Sequence, residues 1–220
     1  GSYFRSGWSI GGPSIADIDG DGKPEIIYEK TVVNGDGTVR WVGSGSFIGD
    51  NHPYQDVPSA YSIVADIDLD GRPEIIAGAS AYSADGKLLW QRSDIGDGFT
   101  AVGNFNADPY PEIVLVSNNR AYMLDRLGSV IWGPVLLPGN RWGGAPTIAD
   151  MDGDGKPEIG VASGSAYTVF KADGSVLWSK PITDASSGMT GSSVFDFDGD
   201  GQAEVVNADE YTLRLYKGST

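Results

Sequence analysis

Residues Asp150 to Glu158 read DMDGDGKPE, with acidic side chains at positions 1, 3, 5 and 9 and a glycine at position 6. Four further copies follow this plan: DIDGDGKPE (Asp17 to Glu25), DIDLDGRPE (Asp66 to Glu74), NFNADPYPE (Asn104 to Glu112) and DFDGDGQAE (Asp196 to Glu204). Carboxylates spaced this way in a tight loop fold around one centre. Oxygen-only donors suit a hard cation, and calcium fits best. Like charges about 4 Å apart repel by roughly 4 kcal/mol at an effective dielectric near 20. Four such groups in one loop are therefore unfavourable without a cation, which argues against plain acidic surface turns.

The five loops hold eighteen of the 30 acidic residues and so dominate the formal net charge of -15. A divalent ion in each would leave about -5, ordinary for a soluble domain. This acidity argues against a nucleic-acid partner, whose phosphates demand clustered Lys and Arg. With no cysteine and a single histidine, disulfides and thiolate sites are excluded and zinc chemistry nearly so. No run approaches the roughly 18 apolar residues of a membrane span, and the first residues lack a signal peptide's charged and apolar regions.

The loops mark internal repeats. Their starts at 17, 66, 104, 150 and 196 lie 49, 38, 46 and 46 residues apart, so five units fill the chain as one domain over residues 1–220. Each unit has strand-like pieces. In the fourth these are Thr147 to Asp150, Glu158 to Ala162, Ala166 to Lys171 and Ser175 to Ser179, separated by turn residues. A Gly followed by an apolar pair and a Trp recurs at Gly37 to Trp41, Gly86 to Trp90, Gly128 to Trp132 and Gly174 to Trp178. With 32 glycines and no sustained helical period, an all-β fold follows.

Four short strands per unit is the anatomy of a β-propeller blade. The fifth unit stops after Tyr211 to Tyr216, one strand short, while Ser2 to Trp8 precedes the first unit. The expectation is five four-stranded blades, closed when the N-terminal segment completes the last blade. The alternative is a fragment of a larger propeller.

Residues Trp142 to Glu158, WGGAPTIADMDGDGKPE, and Ile10 to Glu25, IGGPSIADIDGDGKPE, resemble the FG-GAP repeat of integrin α-subunit propellers and the related VCBS repeats. The other three units share the loop and the following strand but not the GAP element. The resemblance implies calcium loops between two strands of a blade, in a domain that binds extracellular partners. Many propellers of that family have seven blades, against five motifs here.

Carried onto this sequence, the family pattern implies ligands Asp17, Asp19, Asp21 and Glu25 with the Lys23 carbonyl, and Asp66, Asp68, Asp70 and Glu74 with the Arg72 carbonyl. It likewise implies Asp150, Asp152, Asp154 and Glu158 with the Lys156 carbonyl, and Asp196, Asp198, Asp200 and Glu204 with the Gln202 carbonyl. The third set is Asn104, Asn106, Asp108, the Tyr110 carbonyl and Glu112. There two carboxylates are replaced and Pro109 takes the glycine slot, so four calcium sites are expected with the fifth left open. An EF-hand would need Glu at position 12, where this chain has Tyr28, Ala77, Leu115, Val161 and Asn207.

No catalytic residue stands out. His52 lies beside Pro53 in a loop, no GxSxG elbow occurs, and metal-bound carboxylates are held ionised. The enzymatic rival is a polysaccharide lyase, since rhamnogalacturonan lyases of one family carry similar loops on propellers. The candidate ligand-binding residues are Trp8, Trp142, Phe47, His52 and Tyr54, the last three in the long connection Val42 to Ser59. Tyr61, Phe99 and Tyr110 also fall in or beside connections. The expected protein is a monomeric, non-catalytic recognition or adhesion module, extracellular or at the cell surface. Its partner is a glycan or a protein, with a non-binding spacer as the alternative.

Overall fold

The computed structural model describes residues 11–50, 61–139 and 141–218. All secondary structure in them is β. Sheet 1 contains β1 (Ser14–Ala16), β2 (Glu25–Tyr28), β3 (Thr31–Val33) and β4 (Val39–Val42), and sheet 2 contains β5 (Ser62–Ala65), β6 (Glu74–Ala77), β7 (Ser80–Tyr82) and β8 (Leu88–Gln91). Sheet 3 contains β9 (Phe99–Gly103), β10 (Glu112–Ser117), β11 (Arg120–Leu124) and β12 (Val130–Leu136). Sheet 4 contains β13 (Thr147–Ala149), β14 (Glu158–Ala162), β15 (Ala166–Phe170) and β16 (Val176–Pro181). Sheet 5 contains β17 (Ser192–Phe195), β18 (Glu204–Ala208) and β19 (Leu213–Tyr216). In every sheet the strands lie side by side in chain order, and their pairings are antiparallel.

The strands expected for the fourth repeat match β13 to β16 to within two residues at their ends, where helix and strand limits are always soft. Sheet 5 has three strands among the described residues. The strand expected from Ser2 to Trp8 lies outside them.

Second and third strands carry the core because they are apolar on both faces: β6, β10, β14 and β15 are buried along their whole length. Fourth strands are half exposed, as in β16, whose Trp178 is buried while Val176 and Ser179 are exposed. A β-bulge separates the third and fourth strands at Val32/Val33, Ala81/Tyr82, Met123/Leu124 and Val169/Phe170. The turn after it ends on a glycine in the left-handed region, as at Gly86 (φ 81°) and Gly174 (φ 82°).

The chain divides into two compact units, Gly1–Thr100 and Ala101–Thr220. Within the first, Ile18, Ile27, Val32, Ile75, Ala77, Tyr82 and Ala84 form one core, with Trp41 packed against it. The second has two cores. One gathers Val114, Val116, Met123, Ile159, Val161 and Phe170 under Trp132, and the other gathers Met151, Tyr167, Val169, Trp178 and Val205.

The repeated glycine and tryptophan belong to one device. Trp41 Nε1 donates to the Ala84 carbonyl at 2.9 Å, and Trp132 Nε1 to the Ala172 carbonyl at 2.9 Å. A Cβ on Gly86 would lie 2.6 Å from the Trp41 ring, and one on Gly174 would lie 2.9 Å from Trp132. The glycine of one sheet's turn thus seats the preceding sheet's indole. Trp178 Nε1 likewise donates to the Gly218 carbonyl at 2.5 Å, so Trp41, Trp132 and Trp178 each pack against the repeat that follows.

Candidate metal loops

Each acidic loop joins the first and second strands of its sheet, and the position-9 glutamate is the first residue of the second strand in all five. That glutamate is buried. Its Oε2 accepts the backbone N–H of the residue at position 2: Ile18 at 3.1 Å, Ile67 at 2.9 Å, Phe105 at 2.8 Å, Met151 at 2.8 Å and Phe197 at 2.9 Å. The first aspartate closes the loop from the other side. Asp150 Oδ1 accepts Gly153 N–H at 2.7 Å and Oδ2 accepts Gly155 N–H at 2.9 Å, and Asp17 and Asp196 do the same. Position 6 is a glycine at φ 84°, 87°, 82° and 88° in loops 1, 2, 4 and 5. Loop 2 also holds Leu69 at φ 62°, an uncommon conformation for a side chain of that size.

The carboxylates converge. In the groups Asp17, Asp19, Glu25; Asp66, Asp68, Asp70; Asp150, Asp152, Glu158; and Asp196, Asp198, Glu204, ligand oxygens lie within 4.8 Å of one another. Three observations favour a hard cation at their centre. The donors are all oxygen. Burial first, and then the charges of Asp68, Asp70 and Asp66, push Glu74 up to about 7. Glu204 Oε1 is buried without a hydrogen-bond partner, which is costly for an ionised group.

Basic side chains already reach three of these groups. Arg40 is 2.7 Å from Asp19 and 3.7 Å from Glu25, Lys171 is 3.0 Å from Asp152, and Lys217 is 3.0 Å from Asp198. The Arg40 contact lowers Asp19 below the usual carboxylate range, and the Lys217 contact does so for Asp198. In loop 2 the basic residue turns elsewhere: Arg72 makes a bidentate pair with Asp85 at 3.0 and 2.8 Å.

The third loop does not offer this donor set. Asn104 Nδ2 donates to the Asp108 carbonyl at 3.0 Å, and Asn106 Nδ2 donates to Glu112 Oε1. Both oxygens of Glu112 are thereby satisfied from within the chain. Neither Ala107 nor Pro109 adopts the positive φ found at positions 4 and 6 of the other loops. Tyr110 N–H donates to Asp108 at 2.9 Å, and its ring lies 4.4 Å beneath the Arg126 guanidinium. Side-chain amides hold this loop where carboxylates gather in the others.

Antiparallel order puts the acidic loop and the third-to-fourth turn at one end of each sheet. The second-to-third turn and the connection onward lie at the opposite end. Phe47, after β4, and Trp142, between β12 and β13, both belong to that opposite end, and both are half-buried. Phe47 sits between anchored neighbours, with Ser46 N–H on Gln91 at 2.7 Å and Ile48 N–H on Asp97 at 2.9 Å. Trp8, His52 and Tyr54 lie outside the described residues. Phe99, which the sequence places beside a connection, is buried at the start of β9, with Tyr61 edge-on at 5.7 Å. Its burial follows from the β-branched and apolar strand it opens.

Two aspartates escaped sequence reading. Asp97 accepts the N–H groups of Ile48, Gly49 and Gly98 at 2.9, 3.0 and 2.9 Å. Asp184 accepts from Thr190 N–H at 2.9 Å, Thr190 Oγ1 at 2.5 Å and Ser187 Oγ at 2.8 Å. Each organises a connection between sheets. Their signal, an Asp followed by Gly or Ser within a few residues, resembles any turn.

An acidic loop ahead of the second strand of each antiparallel sheet defines an all-β repeat protein built from one recurring module. The family model for the FG-GAP-like repeat matches residues 104–161 and 150–207, so this part of the chain is similar to that repeat. Among solved structures, the V. cholerae biofilm matrix protein Bap1 is similar at TM-score 0.63 and 17% identity, over 94% of this chain and 68% of that one. The rhamnogalacturonan lyase YesW is similar at TM-score 0.55 and 21% identity, over 93% of this chain and 45% of that one. An Agrocybe aegerita lectin that recognises non-reducing terminal N-acetylglucosamine gives TM-score 0.55 and 17% identity, over 94% and 63%. This chain therefore spans less than two thirds of the lyase and of the lectin. No curated protein sequence matches it.

Proposed function

We propose that this chain is a calcium-stabilised β-propeller module for extracellular recognition, binding a glycan through the end of its blades opposite the acidic loops. The observation that carries the reading is this division of labour between the ends of the sheets. Carboxylates gather at one end of sheets 1, 2, 4 and 5, while Phe47 after sheet 1 and Trp142 after sheet 3 stand on connections at the other end of their own sheets. Asp17, Asp19, Asp21 and Glu25, with their counterparts in loops 2, 4 and 5, would hold calcium, together with the carbonyls of Lys23, Arg72, Lys156 and Gln202. Bound calcium supplies positive charge against carboxylates that otherwise repel one another. The chain's own part is to present those carboxylates on loops closed by backbone N–H bonds.

The five sheets are then blades, and a closed ring requires a fourth strand on β19. A catalytic role is disfavoured because the loop carboxylates are committed to backbone donors and to Arg40, Lys171 and Lys217. The similarity to a lectin and a biofilm matrix protein agrees with a binding role, and the similarity to a lyase names the rival. A glycan array probed with labelled protein in millimolar calcium, beside an assay for unsaturated products from rhamnogalacturonan, tests both. Specific array signal without lyase product supports the module. Product release, or a blank array from folded protein, overturns it.

A further inference from the structure

We propose that the cleft between the β10–β11 turn and the connection from β12 to β13 binds a carboxylate-bearing sugar, a uronic acid unit of an acidic polysaccharide. This rests on the glycan-binding reading above and names the ligand class and the place. Asn118, Asn119, Arg120, Arg141 and Trp142 line the cleft, whose volume is about 310 Å³. That is near the lower bound for small-molecule pockets, roughly 300 Å³, and suits one or two sugar rings.

The cleft is built rather than incidental. Asn118 and Asn119 form a two-residue turn between the paired Ser117 and Arg120, with Asn118 at φ 55°, a left-handed conformation that asparagine tolerates. The turn carbonyls are tied to the facing connection: Gly143 N–H donates to Asn118 O at 2.8 Å and Leu137 N–H to Asn119 O at 2.8 Å. Gly144 N–H donates to Ala162 O at 2.9 Å, and a Cβ there would stand 2.2 Å from the Thr190 carbonyl. A Cβ on Gly188 would meet the Arg141 Cβ at 2.9 Å, so the arginine stem lies directly on glycine backbone. Arg141 is thereby held beside Trp142.

Charge selects the ligand. Four of the seven described arginines, Arg40, Arg72, Arg92 and Arg214, pair with carboxylates, and Arg126 lies over Tyr110. Arg120 and Arg141 remain, and both line this one cleft. Arg120 donates to Asn119 Oδ1 at 3.2 Å and Arg141 to the Ser186 carbonyl at 3.4 Å, and neither meets a carboxylate among the described residues. In a chain with 30 acidic residues, two such guanidinia in one cleft call for an anion from outside. The rest of the lining favours a sugar over an acidic peptide. Two side-chain amides offer donors and acceptors to vicinal hydroxyls, and an indole offers an apolar face to a pyranose ring.

The test is calorimetric titration with trigalacturonate and with the neutral galactose trimer, in calcium and again in EDTA below the melting temperature. Wild type should bind the acidic trimer at least about tenfold more tightly, in both media, and lose that preference with added salt. Arg120→Ala and Arg141→Ala should each abolish the preference, and Arg141→Lys should restore it only in part. Arg120 is exposed at a strand end, so its variant keeps the fold even if replacing Arg141 does not. Equal binding of both trimers, an unchanged preference in folded Arg120→Ala, or equal competition by triaspartate would overturn the proposal. Array glycans that bind both arginine variants as they bind wild type would overturn this site and leave the glycan module standing. No glycan binding at all would remove both.

Discussion

Glu158 Oε2 accepts the N–H of Met151 at 2.8 Å, across seven residues and inside the core, and every repeat contains the same bond. The glutamate therefore does two things: it closes the loop and it contributes charge to the carboxylate group. The two roles separate by substitution. Glu158→Ala orphans a buried N–H and should cost about 1–3 kcal/mol even in EDTA. Glu158→Gln retains an acceptor, so in EDTA it should cost well under 1 kcal/mol, while losing much of the stabilisation that calcium adds. Urea unfolding in both media reads the difference. Equal losses for the two variants in EDTA would mean the bond contributes little.

Chelation should act on four loops and spare one. The Ile18, Ile67, Met151 and Phe197 amides belong to loops rich in carboxylate, whereas the Phe105 amide belongs to a loop closed by Asn104 and Asn106. Hydrogen exchange in EDTA should rise at the first four and hold steady at Phe105, and the melting temperature should fall. Asn106→Asp replaces an amide donor to Glu112 by a carboxylate facing it. In EDTA it should cost about 1–2 kcal/mol, and excess calcium should recover part of that loss. Faster exchange at Phe105 in EDTA would show that the third loop holds a cation after all.

Asp97 should reveal itself through pH. Burial raises its carboxyl from 3.8 to about 6, outweighing the Ile48, Gly98, Asp50 and Gly49 N–H bonds that favour the anion. The folded state thus binds the proton more tightly than the unfolded chain. The stability this contributes is fully present below about pH 4 and is lost as pH rises through 6. Asp97→Asn removes the titration, so wild type minus variant should decline by about 2 kcal/mol between pH 4 and pH 7. Both are measured in EDTA so that metal loss at low pH cancels. A flat difference would mean that Asp97 stays near 3.8 in the folded protein.

Loop spacing and the glycine-to-tryptophan interval made the repeat and its strands readable, because both follow from local patterns. Acidic alternation in Asp150 to Glu158 is chemistry visible at one glance. What stayed hidden depends on residues far apart in the chain. Nothing local says that Trp41 donates to Ala84, or that Arg141 and Arg120 share a cleft, since these contacts need neighbouring sheets to pack. Asn106 reads as a weakened ligand in the sequence, and only its bond to Glu112 shows it taking over a carboxylate's structural task. Lys171 is likewise silent until the end of β15 brings it to Asp152.

Two glycines separate contact from conformation. Gly144 is seated against the Thr190 carbonyl, 2.2 Å from where a Cβ would lie, and Thr190 is pinned by Asp184. Gly155 has nothing within 4 Å of its Cβ position but stands at φ 82°. Gly155→Ala should then cost about 1 kcal/mol through its backbone angle alone. Gly144→Ala should cost about 1–3 kcal/mol, because backbone on both sides must move. The two should also differ in reach. Shifting the Gly144 segment moves Trp142 and Arg141, so Gly144→Ala should weaken trigalacturonate binding, while Gly155→Ala, at the opposite end of its sheet, should leave it unchanged. Equal melting-temperature losses with unchanged binding in both would show that the glycine floor does not position the cleft.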